Sequence, residues 1–179
     1  VSQDFNTWRE GSTKQYEVVG TPDDPANIVD DILLNETYLD AQGRVLYTVD
    51  YDRQGNVTGR RDFSYGPNGE IVRMDQRESN DSNAPISAAT FFTGTAGIEK
   101  VSYTVTYDAQ GNVIGRSDYT FDAQNGALLE IAFRNQDDVN APLVSRTFFT
   151  GPAGDEKPFK VINYDASGAV SSVNFLIYD

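Results

Sequence analysis

The chain has 179 residues, 39% of them hydrophobic and 12% aromatic, enough for one domain or a short array of repeated units and too aromatic for a disordered acidic tail. Its 27 acidic against 14 basic residues give a net charge of −13, a surface that repels a phosphate backbone and argues against nucleic-acid binding. With no Cys and no His, disulfides, thiolate nucleophiles, thiolate zinc sites and imidazole acid–base chemistry are excluded.

The acids are 19 Asp and 8 Glu, a bias toward turns rather than helices. Tyr and Phe suit a half-buried pleated surface, so the composition points to β structure. The longest strongly apolar run, Phe175 to Tyr178, is too short for a membrane-spanning helix. Val1 in place of an initiating Met suggests a processed chain, with export as the expectation.

In chain order, Val1 to Gly11 has no sustained period and reads as an arm. Ser12 to Val19 reads as a first strand, ended by the Pro- and Asp-rich segment Gly20 to Pro25. Ile28 to Tyr38 reads as a strand, with a short helix as its rival because Ile28, Val29, Ile32 and Leu33 also fit one helical face. From Val45 the alternation of period two is plain: Val45, Tyr47, Val49 and Tyr51 share one face. The turn Asp52-Arg53-Gln54-Gly55-Asn56 reverses the chain, its Asp caps nearby backbone and its Gly tolerates positive φ, so a hairpin follows. A strand to Tyr65, the turn Gly66 to Gly69 and a strand from Glu70 to Arg77 come next, then the polar loop Glu78 to Pro85. The aromatic strand end Thr90 to Thr93, the turn Gly94 to Gly97 and the strand from Val101 to Tyr107 complete the unit.

The succession then repeats. Asp108 to Val113 matches Asp52 to Val57, Gly115-Arg116 matches Gly59-Arg60, and Asp118 matches Asp62, at a spacing of 56; after one extra residue in the turn Asp122 to Gly126 the spacing is 57, where Asn140-Ala141-Pro142 matches Asn83-Ala84-Pro85 and Thr147 to Gly151 matches Thr90 to Gly94. An insertion confined to a turn preserves the faces of every strand. The organisation expected is therefore a single β-repeat domain over residues 1–179: an arm (1–11), a partial unit (12–50), a first repeat (51–106), a second (107–163) and a closing strand (164–179). The fold class expected is all-β, an antiparallel meander of about ten to twelve strands built from two repeats, forming a twisted or wrapped sheet, with a barrel or a sandwich as alternatives.

The turns Tyr51-Asp52-x-x-Gly55-Asn56-Val57 and Tyr107-Asp108-x-x-Gly111-Asn112-Val113 resemble the Tyr-Asp repeat of bacterial Rhs-type and wall-associated proteins. That resemblance implies secreted or cell-surface chains in which hairpins build a long spiralling β-sheet. It covers the turns and their flanks only; the unit here is longer, and the Asn-Ala-Pro and Thr-Phe-Phe-Thr-Gly elements stand outside the pattern.

Candidate chemistry is sparse. The acidic loops carrying Asp23 and Asp24, Asn80, Asp81 and Asn83, and Asp137, Asp138 and Asn140 hold side-chain oxygens of the kind that bind Ca²⁺, against the plainer reading that such residues make turns. Glu99 with Glu130 or Asp118 is a conceivable carboxylate pair for glycoside hydrolysis, against solvated positions on alternating strands. Tyr103, Tyr107, Tyr119, Phe121, Phe91, Phe92, Phe148 and Phe149 offer a stripe for stacking sugars, against ordinary cross-strand pairing. Gly94-x-x-Gly97 lacks the Lys and helix of a phosphate cradle. The expectation is a structural subunit of an extracellular or cell-surface assembly, a filament, sheath, stalk or adhesin, and not an enzyme. It self-associates by β-strand addition through the N-terminal arm or the C-terminal strand, without membrane insertion. The alternative is a calcium-dependent carbohydrate-binding module.

Overall fold

A computed structural model describes residues 7–9, 12–17 and 32–178. They form one antiparallel sheet in which strand order follows chain order throughout. The strands are β1 (Thr7–Arg9), β2 (Ser12–Glu17), β3 (Ile32–Leu39), β4 (Val45–Tyr51), β5 (Val57–Tyr65), β6 (Ile71–Arg77) and β7 (Ala88–Thr93). They continue as β8 (Lys100–Tyr107), β9 (Val113–Phe121), β10 (Leu128–Arg134), β11 (Ser145–Thr150), β12 (Lys157–Tyr164) and β13 (Val170–Phe175). The meander is as the alternation predicted, with thirteen strands because the arm itself contributes β1, whose three residues are too few to show a period. Ile32 to Leu39 is strand, so the helical rival fails there; residues 28–31 lie outside the described ones.

Among the described residues nothing closes this sheet. Strands β1 and β13 each pair with one neighbour, and every strand touches only the strands beside it, which rules out the barrel. Among the described residues no second layer covers it either. The chain exposes 11532 Å², about a third more than the ~8600 Å² typical of a compact 179-residue monomer. Among the described residues only Val49, Ala89, Val105 and Ala127 are buried hydrophobics.

Turn chemistry sets the repeat. In the Tyr-Asp turns the aspartate does most of the bonding: Asp108 Oδ1 accepts from the backbone N–H of Gln110 (2.9 Å) and of Asn112 (2.8 Å), while Asp108 N–H donates to Asn112 O. Gly111 sits at φ 81°, a conformation that side chains rarely adopt. Asp40, Asp52 and Asp165 repeat this arrangement with Gly43, Gly55 and Gly168. A register shift flanks each of these turns, a bulge that adds to strand twist.

The pairing register sorts the side chains into two faces. One aligns Tyr47 with Asp62, Val49 with Arg60 and Arg60 with Arg77; one repeat later it aligns Tyr103 with Asp118, Val105 with Arg116 and Arg116 with Arg134. The opposite face is rich in Thr and Ser, with Phe63 against Met74 and Tyr119 against Ile131. There the Phe133 ring lies over Gly115, where an added Cβ would meet it at 2.5 Å.

The first face is held by ions stacked on rings. Arg60 lies 3.8 Å from the Tyr47 ring centre and binds Asp62, which also binds Arg77. Arg116, 3.8 Å from the Tyr103 ring centre, binds Asp118, which also binds Arg134. These guanidiniums and their aliphatic stems flank Val49 and Val105, which are fully buried although the sheet is one layer thick.

The repeats also exchange charges without losing the contact. Arg73 pairs with Asp75 on β6 and lies 5.3 Å from the Phe91 ring centre. In the second repeat Glu130 and Ala132 stand at the positions of Arg73 and Asp75, and Arg146 at that of Ala89. Here the ion pair crosses from β10 to β11, and Arg146 lies 5.2 Å from the Phe148 ring centre. A guanidinium over the same phenylalanine, held by a carboxylate, is what both solutions share.

Candidate functional site

The two Asn-Ala-Pro loops are drawn onto the ion-rich face by arginine. Arg77 Nε donates to Ala84 O (3.0 Å) and Arg134 Nε to Ala141 O (3.1 Å). Arg60 reaches Asn80 O (3.3 Å), and Arg116 pairs with Asp137 (2.9 Å). The end of each loop is also bound by the second strand after it, β8 or β12: Tyr107 N–H donates to Ser87 O and Tyr164 N–H to Val144 O, both at 2.9 Å.

Beside each loop lies an open recess. The first, about 300 Å³, runs from Glu78 and Ser79 past Pro85 to Tyr107 and Asp108. The second, about 350 Å³, runs from Asn135 and Gln136 past Pro142 to Tyr164 and Asp165. Every lining position of one corresponds to a lining position of the other, 57 residues later. Burial raises the pKa of the Tyr107 phenol, so it stays neutral there over the physiological range.

The residues singled out for calcium are committed locally. Asp81 Oδ1 accepts from Asn83 N–H (2.8 Å) and Asn83 Nδ2 (3.2 Å); Asp138 Oδ1 accepts from Asn140 N–H (2.8 Å) and Asn140 Nδ2 (3.3 Å). Asp137 is the partner of Arg116. Asp23 and Asp24 lie outside the described residues. Among the described residues no group of three or more acids converges to hold a metal ion.

Each conceivable catalytic carboxylate has a task of its own. Asp118 is bracketed by two arginines, and Glu130 makes a two-pronged pair with Arg146 at 2.6 Å per contact. Glu99 ties two turns together, accepting from Ile71 N–H on β6 and from Gly97 N–H in its own turn, both at 2.9 Å. Glu156 does the same with Leu128 and Gly154. Asp118 and Glu130 keep only 23% and 15% side-chain exposure, so the reading of solvated positions fails for them. The aromatic stripe divides between faces: Phe91 stacks on Tyr103 at 4.4 Å on one, while Tyr119 stands on the other.

These turn carboxylates make folding acid-sensitive. The backbone N–H of Ile71 and Leu128 lower the pKa of Glu99 and Glu156; the Asn56, Asn112 and Ser167 side chains lower Asp52, Asp108 and Asp165. A depressed carboxylate contributes its stability in full above its unfolded pKa and loses it as pH falls through the folded value. The urea midpoint is therefore expected to hold between pH 8 and 6 and fall steadily below the ordinary carboxylate range. An unchanged midpoint at pH 3 would show that these bonds contribute nothing.

The remaining feature is the edge. Strand β13 is exposed at every residue, with Val173 46% and Phe175 69% exposed, and Ile177 just beyond it 90% exposed. At the positions of Arg116 and Asp118 in the preceding repeat it carries Val173 and Phe175, so the ladder of ions ends there in apolar side chains. No charged residue lies between Val170 and Tyr178.

Fold and site together define an all-β repeat protein with one open sheet, two equivalent recesses and an apolar edge. No protein-family model matches the chain, and no curated protein does. Among solved structures it is similar to a porin-like protein from Bacteroides uniformis, at 10% identity and a TM-score of 0.36, over 90% of this chain and 74% of that one. It is also similar to TcdB2-TccC3, at 14% identity and a TM-score of 0.29, over 90% of this chain and 10% of that one. The TcdB2-TccC3-Cdc42 structure gives 13% identity and a TM-score of 0.27, over 91% of this chain and 10% of that one.

Proposed function

We propose that the protein is a structural subunit of an extracellular or cell-surface assembly, joined to its neighbours by β-strand addition, and that it is not an enzyme. The observation that carries this reading is the edge at β13. An edge strand left uncharged and with exposed apolar side chains is what sheet proteins ordinarily avoid by charges, prolines or short length, because it templates pairing with another chain. A subunit built to associate keeps such an edge. Acid-rich turns along the ends of the strands keep the rest of the surface hydrated and mutually repulsive.

Sedimentation of the chain across concentration tests this, alongside a Val173→Pro variant. Leu176 N–H donates to Phe159 O on β12 (3.0 Å), so by the period of two the N–H of Val173 points away from β12. Proline there removes an outward donor without removing a bond inside the subunit. The native chain is expected to associate with rising concentration, and Val173→Pro to remain monomeric with a similar melting temperature. A native chain that stays monomeric throughout refutes the proposal. Saturable glycan binding at the Tyr107 and Tyr164 recesses, abolished by a chelator, would favour a carbohydrate-binding module instead.

A further inference from the structure

The edge at β13 is self-complementary, and we infer that its partner is a second copy of the same strand, related by a two-fold axis through Asn174. This rests on the strand-addition reading above and names its geometry.

The first argument is direction. All twelve strand pairs are antiparallel and strand order follows chain order, so β1 and β13, both odd-numbered, run the same way. Joining like-oriented copies head to tail would set β13 beside β1 in parallel, against the pattern of every pair in the sheet. A two-fold axis perpendicular to the sheet sets two copies of β13 antiparallel and keeps each face continuous with its own kind.

The second argument is the hydrogen-bonding phase. Since Leu176 bonds inward to Phe159, Ser172 and Asn174 also face β12, and Val173, Phe175 and Ile177 offer their N–H and C=O outward. Antiparallel partners must share a face, which restricts the axis to a residue rather than a gap between residues. Asn174 is the midpoint of the uncharged stretch from Val170 to Tyr178. Rotation about it sets Val173 against Phe175 of the partner subunit, apolar on apolar at both symmetry-related positions, with Ser172 opposite Leu176 of the partner subunit and no like charges opposed.

The third argument is charge. Two chains of net charge −13 repel unless they meet where charge is absent, and this stretch is such a place. Among the described residues the opposite edge offers a strand of three residues, Thr7–Arg9.

The absence of cysteine permits a direct test in the full chain. In the two-fold pair Asn174 faces its own counterpart at a non-hydrogen-bonded position, with Cα atoms about 4.5 Å apart, inside the range of about 4.4–6.8 Å that a disulfide bridges. Ser171, three residues off the axis, would stand roughly 20 Å from its counterpart. Under mild oxidation Asn174→Cys is expected to form disulfide-linked dimers at least about tenfold faster than Ser171→Cys. Equal rates in a chain that still associates, and still loses association in Val173→Pro, would overturn the two-fold arrangement and leave strand addition standing. A chain that never associates would overturn both.

Discussion

Asp118→Ala is expected to destabilise the fold by about 2 kcal/mol, read as a drop in the urea midpoint. Asp118 is the carboxylate between Arg116 and Arg134, which stand directly opposite one another on adjacent strands and keep 14% and 13% side-chain exposure. Removing it leaves two largely desolvated guanidiniums facing each other, and like charges directly opposite in a sheet repel. Breaking a fully buried pair costs about 3–5 kcal/mol and an exposed one under about 1 kcal/mol; these partners lie between. Arg116 keeps Asp137, and Arg134 keeps Ala141 O, which limits the loss. Asp62→Ala, one repeat earlier between Arg60 and Arg77, should cost a similar amount. Asp118→Asn, which retains shape and an acceptor, should cost less. If both alanine variants fall within about 0.5 kcal/mol of the parent, the level of an ordinary surface substitution, the bracketed carboxylates are incidental.

Val105→Ala should cost about as much through another mechanism. Val105 and Val49 are the two largest side chains with no exposure, and each loses two carbons worth about 0.8 kcal/mol apiece, plus the cavity left behind. The expected loss is about 2 kcal/mol at each site. The two sites lie one repeat apart, on strands that are not neighbours, so their effects should add. Val173→Ala, at a position 46% exposed, serves as the control and should change stability little in the monomer. Equal effects at all three positions would mean that the ionic face does not shield the valines.

Much of this architecture is legible in the sequence because turn residues and strand period are local properties. Asp108, Gly111 and Asn112 announce their turn from within five residues, and Val101 to Tyr107 announces its alternation. The ion network is not local. Arg116, Asp118 and Arg134 meet only once the register of β9 against β10 is fixed, so Asp118 reads from the sequence as a solvated acid or half of a catalytic pair. The available signal was the recurrence of Gly-Arg-x-Asp at Gly59 and Gly115 followed by an arginine at Arg77 and Arg134, a cation kept on both sides of a kept anion. Glu99 was hidden for a similar reason: its partner Ile71 is 28 residues away, across two strands. The two recesses arise from the packing of a loop against a strand that follows it much later, and only the spacing of 57 shared by Pro85 and Pro142 hints at them.

The single-file order of the strands has a mechanical side. A pull applied between β1 and β13 runs across the strands, so each ladder of hydrogen bonds bears the whole load in series and none shares it. Such a sheet gives way by unzipping one hairpin at a time, and releasing β4 and β5, Val45 to Tyr65, frees on the order of 70 Å of chain. Because each hairpin closes through its own turn, it can re-form in roughly 1–10 μs once the load drops. Stretched from its edges, the sheet would behave as an extensible tether that yields in steps and recoils, rather than as a rigid strut.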